Sequence, residues 1–217
     1  METIDRVEIA DFPATVRLGL GWIVADLDGR AASATLRTAL AAAAEAARAR
    51  EPREIPAIAA TREAYRALDK DPARYRPSSE ALVRRLRKGE PLPQHDPRVD
   101  LGTLVSLETG FSIGVYDREK LRPPIVARPG RAGESYLGIG GIVLNLEGLP
   151  LLADREGPFG SPTRDSVRTA VRSETRGLLF VLYGFAPHPV DEASLELARR
   201  RLEALLGARI LVARLAR

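Results

Sequence analysis

The sequence DLGTLVSLETGFSIGVYD, residues 100–117, contains the change of pattern that decides the fold class. Asp100 is a favourable N-cap, and apolar residues recur at helical spacing over 101–109. Gly110 is the residue type with which helices commonly end. The pattern over 112–117 is that of a strand. The stretch therefore predicts a helix that ends at Gly110 and a strand that follows it directly.

Upstream of this stretch, the sequence predicts one strand and then mainly helices. Val, Ile and Leu are frequent over 15–27 and indicate a strand. Helical patterns follow at about 33–50, with Ser33 as N-cap, at about 57–68, and at about 78–89, with Ser78 or Ser79 as N-cap and Leu82 and Leu86 buried.

Downstream of Gly110, the sequence predicts a run of short strands and one more helix. The predicted strands are 112–117, 124–128, 142–146, 149–154 and 177–185. Asp191 is a favourable cap for a helix that ends at Gly207, and a strand follows it. Helices followed by strands, rather than alternating with them, indicate an α+β fold. The absence of a repeat or long linker predicts one domain over residues 1–217.

The composition excludes several classes of protein. Of the 217 residues, 45% are hydrophobic and 29% are charged, which is ordinary globular usage and argues against intrinsic disorder. No cysteine is present, so thiol nucleophiles and thiolate zinc sites are excluded. The two histidines, His95 and His188, are too far apart in sequence for a local metal motif. GIGGI at 138–142 lacks the third spaced glycine of a dinucleotide site, and we expect no metal and no cofactor.

Targeting signals are also absent from the pattern. The N-terminal sequence METIDRVEIADFPA has no apolar stretch of the signal-peptide type, and no run of about 18 apolar residues occurs. We therefore expect a cytoplasmic protein that does not enter a membrane.

The net charge of +4 says little by itself, but the cations are concentrated in one part of the chain. The basic patch of residues 74–88 consists of Arg74, Arg76, Arg84, Arg85, Arg87 and Lys88. A solvated helix face, with its cations at the negative end of the helix dipole, accounts for this pattern. A surface that contacts nucleic-acid phosphates is the alternative, and both interpretations stay open.

The pentapeptide GFSIG, residues 110–114, formally matches the G-x-S-x-G motif of serine hydrolases. Asp154 or Asp165 and then His188 follow Ser112 in the order found in α/β-hydrolases. That motif requires a strand before the serine and a helix after it, and the pattern here is the reverse. We therefore expect structural glycines at a strand start rather than a nucleophile.

The segment GPFGSPTRDSVRTAVRSET, residues 157–175, is unusually polar for a connection between two apolar strands. Hydroxyl, carboxylate and guanidinium groups together suit a polar ligand that carries an amine and hydroxyls, and long polar connections are often functional. A surface loop that caps its own turns is the alternative. The candidate residues are Ser161, Thr163, Arg164, Asp165, Ser166, Arg168 and Thr169.

Several of these segments occur together in an order that resembles a known family. They are DPARYRPSSEALVRRLRKGEPLP, VDLGTLVSLETGFSIGVYD, GESYLGIGGIVLNLEGLPLLAD, GSPTRDSVRT and GLLFVLYGF, and the resemblance is clearest over 69–185. The order resembles the tRNA-binding and editing domain of the phenylalanyl-tRNA synthetase beta subunit, and more closely its free-standing relatives. Nothing resembles the synthetase's aminoacylation core.

The resemblance implies an α+β fold in three layers around a β-sandwich, with a helical lead-in and a C-terminal helix and strand. It implies tRNA or aminoacyl-tRNA as the partner, with no DNA expected. It also implies hydrolysis of misacylated tRNA, which is needed where one binding step cannot separate similar amino acids. A positioned water can cleave such an ester without a metal or a covalent nucleophile. The basic patch would then contact the tRNA backbone.

The resemblance further implies that Thr103, Gly114, Asp165 and Ser166 face a pocket between the helix 100–109, the strand ending at Asp117 and the loop 161–169. Synthetase domains usually have Asn at the position of Thr103 and a pocket His at that of Gly114. Loss of that His predicts a larger pocket and either a different amino acid or no hydrolysis. The alternatives are therefore a non-catalytic RNA-binding module, or an amino-acid-binding protein without tRNA.

Overall fold

The computed structural model describes residues 4–28, 34–93 and 96–216, so the Ser33 cap and His95 lie outside the described residues. The helices are α1 (Ala34–Arg48), α2 (Pro56–Ala67), α3 (Ser78–Arg87), α4 (Pro97–Thr109) and α5 (Glu192–Leu206). The strands are β1 (Val7–Ile9), β2 (Leu18–Asp26), β3 (Ser112–Asp117), β4 (Ile125–Pro129), β5 (Ser135–Gly138), β6 (Ile142–Asn145), β7 (Pro150–Asp154), β8 (Gly157–Gly160), β9 (Gly177–Phe185) and β10 (Arg209–Ala216).

The strands form two four-stranded sheets and one hairpin. The first sheet has the order β10-β2-β9-β3, with all neighbours antiparallel, and β3 is one of its edges. The second sheet has the order β1-β4-β7-β8, in which only β1 and β4 are parallel. Strands β5 and β6 form the hairpin, whose turn at 139–141 contains Gly140 and Gly141 at positive φ.

Strand β9 is buried on both faces and therefore belongs to two hydrophobic cores. On one face Phe180 and Leu182 pack with residues of α4 and α5. On the other face Val181 and Tyr183 pack with residues of the second sheet, including Phe159. The layers are therefore helices, first sheet and second sheet, and the prediction of a three-layer α+β fold around a β-sandwich is confirmed.

The change from helix to strand at Gly110 occurs as predicted, but the N-cap of the preceding helix is a different residue from the predicted one. Gly110 ends α4 in the left-handed conformation, with φ of 82°. Asp96 rather than Asp100 caps α4, because its side chain accepts a hydrogen bond from the Arg98 N–H at 3.0 Å. Pro97 occupies the first helical turn, where its missing N–H has no cost, so the helix starts one turn earlier.

Helix α3 also starts differently from the prediction. Pro77 is its N-cap residue, and neither Ser78 nor Ser79 supplies a side-chain cap. The Ser79 hydroxyl instead lies 3.3 Å from that of Ser112 on β3. Val83 and Leu86 are the buried apolar residues of this helix, whereas Leu82 is only partly buried.

A buried ion pair fixes the position of α3 against α2. The Glu80 carboxylate is fully buried, and it accepts hydrogen bonds at 2.7 Å from Arg62 on α2 and from Arg84. A buried carboxylate needs such partners because its desolvation is costly. These ion pairs therefore fix the position of α3 on the fold and, with it, which face of the helix is exposed to solvent.

Among the described residues, no helix is long and apolar enough to cross a bilayer.

Candidate functional site

A cavity of about 710 Å³ lies where α3, α4, β3 and the segment 163–172 meet, with the hairpin turn at its rim. Most of its lining surface is apolar, and its polar residues come from α3, from α4 with its N-cap, and from the segment 163–172. The lining residues are Ser78, Ala81, Leu82, Arg85, Pro93, Asp96, Val99, Gly102, Thr103, Ser106, Ile113, Val115, Ile139, Gly140, Thr163, Asp165, Val167, Ala170, Val171 and Arg172.

Asp165 is one of the polar residues that line this cavity. It lies beside the open edge of β3, where its Oδ1 accepts a hydrogen bond of 2.7 Å from the Tyr116 hydroxyl. The Tyr116 hydroxyl is in turn 2.7 Å from that of Tyr183 on β9. A carboxylate can only accept, so Tyr116 donates to Asp165, and Tyr183 donates to Tyr116.

The surroundings of Asp165 shift the pKa of its carboxyl group. Burial raises this pKa to about 7, although the hydrogen bond from Tyr116 and the backbone N–H groups of Val115 and Ser161 act in the opposite direction. Burial likewise raises the pKa of Tyr116 and Tyr183 well above the ordinary value, so both remain phenols at neutral pH. Asp165 is therefore the group in this chain of hydrogen bonds that changes charge near neutral pH.

Two threonines line the cavity beside Asp165. Thr163 donates to the Tyr75 carbonyl at 3.0 Å and lies 2.8 Å from the Tyr65 hydroxyl, so it ties the loop to α2. Thr103 lies on α4, and among the described residues its hydroxyl has no hydrogen-bond partner. Thr103 is thus available to a ligand, whereas Thr163 mainly holds the wall in place.

The other hydroxyl residues of the predicted site stabilise the loop itself. Ser161 is buried and donates to the Arg164 carbonyl at 2.9 Å. Ser166 accepts from the Arg168 N–H at 3.1 Å and so caps the short helical turn 167–169. Thr169 is buried, with its hydroxyl 3.4 Å from the Phe159 carbonyl. None of these three residues lines the cavity.

Arg168 also has a structural role that differs from the predicted one. Its guanidinium donates to the Asp154 carboxylate at 2.8 Å and to Glu156 at 3.1 Å, and it lies over the Phe159 ring. These contacts clamp the loop to the turn between β7 and β8. Arg168, a candidate residue from the sequence, therefore does not line the cavity, whose own arginines are Arg85 and Arg172.

Gly114, which the resemblance placed at the pocket, does not line the cavity either. Side chains alternate along β3, so Ile113 and Val115 line the cavity while Gly114 points to the opposite face. A Cβ built on Gly114 would lie 2.1 Å from the Tyr116 hydroxyl oxygen. The absence of a side chain at Gly114 therefore does not enlarge the cavity, because the Tyr116 ring occupies that space.

The basic patch adjoins the cavity through α3, which supplies Ser78, Ala81, Leu82 and Arg85 to the wall. The cations of α3 have acidic or carbonyl partners. Arg84 contacts Glu80 at 2.7 Å, Arg85 donates to the Pro91 carbonyl at 2.6 Å, and Arg87 pairs with Glu51. Lys88 is exposed and, in the part of the chain that the structure describes, has no partner.

The two cations that precede α3 lie in the segment 71–77. Arg74 stacks over the Tyr75 ring, with 5.3 Å from its guanidinium carbon to the ring centre. Arg76 is exposed and makes one long hydrogen bond of 3.4 Å to the Ala73 carbonyl. Both residues therefore remain accessible to an anionic partner, as does Lys88.

The serine-hydrolase arrangement is not formed. Ser112 is buried and bonded to Ser79, whereas His188 is exposed in the turn after β9. Within residues 4–28, 34–93 and 96–216, no hydrogen bond joins Ser112 to His188, and no cluster of His, Asp or Glu has the composition of a metal site. The helix before Ser112 and the strand after it are the reverse of a nucleophile elbow.

Comparison with known proteins gives one family match and structural neighbours. The family model described as the B3/4 domain matches residues 60–205, a span that contains every wall of the cavity. An N-terminal fragment of the phenylalanyl-tRNA synthetase beta subunit from Pyrococcus horikoshii aligns over 54% of this chain at 21% identity, with a TM-score of 0.44. The chain covers 43% of that fragment. No curated protein matches.

The raised pKa of Asp165 predicts a specific pH dependence of stability. Because the pKa in the folded protein, about 7, exceeds the ordinary value of 3.8, the folded state binds more protons than the unfolded chain between these values. The stabilisation is complete below about pH 4 and is lost as the pH rises towards 7. Relative to Asp165→Asn, the unfolding free energy of the wild type should fall over this range, by up to about 1.4 kcal/mol per pH unit.

Urea unfolding at several pH values from 4 to 8 measures this difference. Asp5→Asn is a matched control, because Asp5 is exposed and should leave the pH profile unchanged. Parallel profiles for the wild type and Asp165→Asn would contradict the assignment of a raised pKa to Asp165.

Proposed function

The chain belongs to the B3/4 domain family, of the phenylalanyl-tRNA synthetase beta-subunit type, and from that membership we propose that it binds the aminoacyl end of tRNA and hydrolyses misacylated aminoacyl-tRNA. One structural observation supports the proposal in addition to the family match. The cavity that contains Asp165 and Thr103 is bordered by α3, which brings Arg85 of the basic patch to its wall.

The cavity suits an aminoacyl group in size and chemistry. Its aliphatic walls, formed by residues such as Val99, Ile113 and Val171, suit an uncharged side chain. Thr103 offers a hydroxyl to the polar atoms around the ester. Arg85 and Arg172, at the same cavity, suit the phosphate groups that precede the terminal ribose. An aminoacyl ester with an uncharged side chain is therefore the proposed substrate class.

Asp165 is the proposed general base. Hydrolysis requires a group that accepts a proton from the attacking water, and such a group works best when its pKa is near the working pH. Burial raises the pKa of Asp165 to about 7, which meets this requirement. The water oxygen bonds to the ester carbonyl carbon while one water proton passes to Asp165. When the C–O bond to the ribose breaks, the ribose oxygen takes its electron pair and receives that proton from Asp165, which gives the free amino acid, the ribose hydroxyl and the regenerated carboxylate.

We predict that the purified protein deacylates at least one aminoacyl-tRNA in a complete panel faster than the uncatalysed rate. Asp165→Ala should lower that rate about 10²-fold or more, because it removes the proton acceptor. Loss of radiolabelled amino acid from each tRNA measures the rate. Glu8→Ala, at an exposed carboxylate on β1, is the control and should keep the full rate. Failure to deacylate any member of the panel would contradict the enzymatic proposal.

A second candidate function is binding of an amino acid without tRNA. The ion pairs and hydrogen bonds of Arg84, Arg85 and Arg87 favour it, because paired cations release fewer counterions when they meet a phosphate. The two functions differ in the dependence of tRNA affinity on salt.

We predict that the affinity for tRNA falls steeply between 50 and 200 mM salt, as fluorescence anisotropy would measure. Lys88→Ala should reduce the slope of log affinity against log salt by about 0.7–0.9, since one phosphate contact is lost. Arg200→Ala, at an exposed arginine on α5, should leave the slope unchanged. A flat salt dependence together with tight binding of a free amino acid would instead support the second candidate.

A further inference from the structure

Tyr116 is a buried aromatic residue that links both sheets to the cavity. Its backbone belongs to β3, and its ring packs edge-on against Phe159 of β8, with 4.9 Å between ring centres. Its hydroxyl lies 2.7 Å from Asp165 and 2.7 Å from Tyr183. The Tyr116 hydroxyl therefore donates its one hydrogen bond to the Asp165 carboxylate and accepts a hydrogen bond from the Tyr183 hydroxyl.

Two glycines leave room for this ring. A Cβ added to Gly114 or to Gly160 would lie 2.1 Å from the Tyr116 hydroxyl oxygen, and 2.5 Å from the ring carbon that carries it. Side-chain carbons do not approach other atoms so closely. Gly114 belongs to β3, and Gly160 ends β8 directly before the loop of Asp165. The hydroxyl end of Tyr116 therefore lies between Gly114 of the first sheet and Gly160 of the second, where a side chain on either residue would collide with it.

We propose that Tyr116 is a positioning residue for Asp165: its hydroxyl, held by Tyr183, fixes the carboxylate at the edge of β3 and stabilises its charged form, and Gly114 and Gly160 make that arrangement possible. The inference concerns the carboxylate in the protein without tRNA. It rests on the proposed function only where it predicts the pH dependence of hydrolysis.

The groups around Asp165 make its titration distinguishable from that of its neighbours. Tyr116 from β3, Tyr183 from β9 and Tyr136 from β5 interact with it electrostatically, and burial raises the pKa of each above the ordinary tyrosine value. The charged residues at the same cavity are Arg85 from α3, Asp96 at the start of α4 and Arg172 after the loop. No histidine is among the described residues that line the cavity, and of those residues Asp165 is the one expected to titrate near pH 7.

The direct test is the pH titration of the Asp165 carboxyl carbon by NMR in the protein labelled with ¹³C at its aspartates, with Asp165→Asn identifying the signal. Tyr116→Phe should move the midpoint upward by about one to two pH units, because it removes a hydrogen bond to the charged form. Tyr183→Phe should move it in the same direction by less. Tyr75→Phe is the matched control, since Tyr75 stacks with Arg74 outside this network, and should leave the midpoint unchanged.

A wild-type midpoint in Tyr116→Phe would overturn the proposal. If Tyr116→Phe does not fold, Tyr183→Phe decides: a raised midpoint supports the proposal, and an unchanged one overturns it. If the protein deacylates a tRNA, the alkaline shift should also appear in the pH profile of the rate for Tyr116→Phe. An NMR shift without deacylation of any tRNA would leave this inference intact and contradict the proposed function.

Discussion

The burial of β9 on both faces is the constraint on which the rest of the structure depends. Nine consecutive residues of this strand are buried, so it requires helices on one side and a second sheet on the other. Strand β3 pairs with it along 112–117 and thereby becomes the edge of the first sheet. The cavity forms where that edge, α4 and the loop after β8 meet, so its position follows from the placement of β9.

The Asp165 carboxylate connects these layers chemically. Through Tyr116 and Tyr183 it is bonded to two neighbouring strands of the first sheet, while the loop that carries it continues from the second sheet. The same geometry gives the carboxylate a wall of aliphatic residues and raises its pKa towards 7. The position of Asp165 beside β3 thus accounts for its packing, its hydrogen bonds and its raised pKa. The basic patch is less available to a partner than its charge suggests, because Arg84 and Arg87 form ion pairs within the protein and Arg85 donates to a backbone carbonyl.

The sequence predicts the fold class well because the decisive signals are local. Gly110 marks the end of α4, and the apolar run 177–185 marks β9, without reference to distant residues. The short strands β1, β5 and β8 were not predicted, because three or four residues are too few to show a clear period, and β5 and β8 also contain Gly or Pro. The N-cap of α4 was misplaced because Asp96 and Asp100 both precede apolar residues, and only Pro97 distinguishes them.

The site is harder to predict than the fold, since its contacts are remote in sequence. The density of polar residues over 157–175 identifies the segment that contains Asp165, but not which of its side chains face a ligand. Ser161, Ser166 and Arg168 have the composition of a site and instead stabilise the loop. Tyr116 and Tyr183 have the pattern of ordinary strand residues, and their hydrogen bonds join positions 49 and 67 residues apart. No local pattern reports such contacts.

The central claim is that this cavity holds the aminoacyl end of tRNA beside Asp165. The most direct measurement is a crystal structure with a stable analogue in which an amide replaces the ester of 3′-aminoacyl-adenosine. We expect the aminoacyl group inside the cavity, with its polar atoms within hydrogen-bond distance of Asp165 or Thr103, and the adenosine towards α3. An analogue bound at another surface, or a cavity that stays empty at saturating concentration, would contradict it.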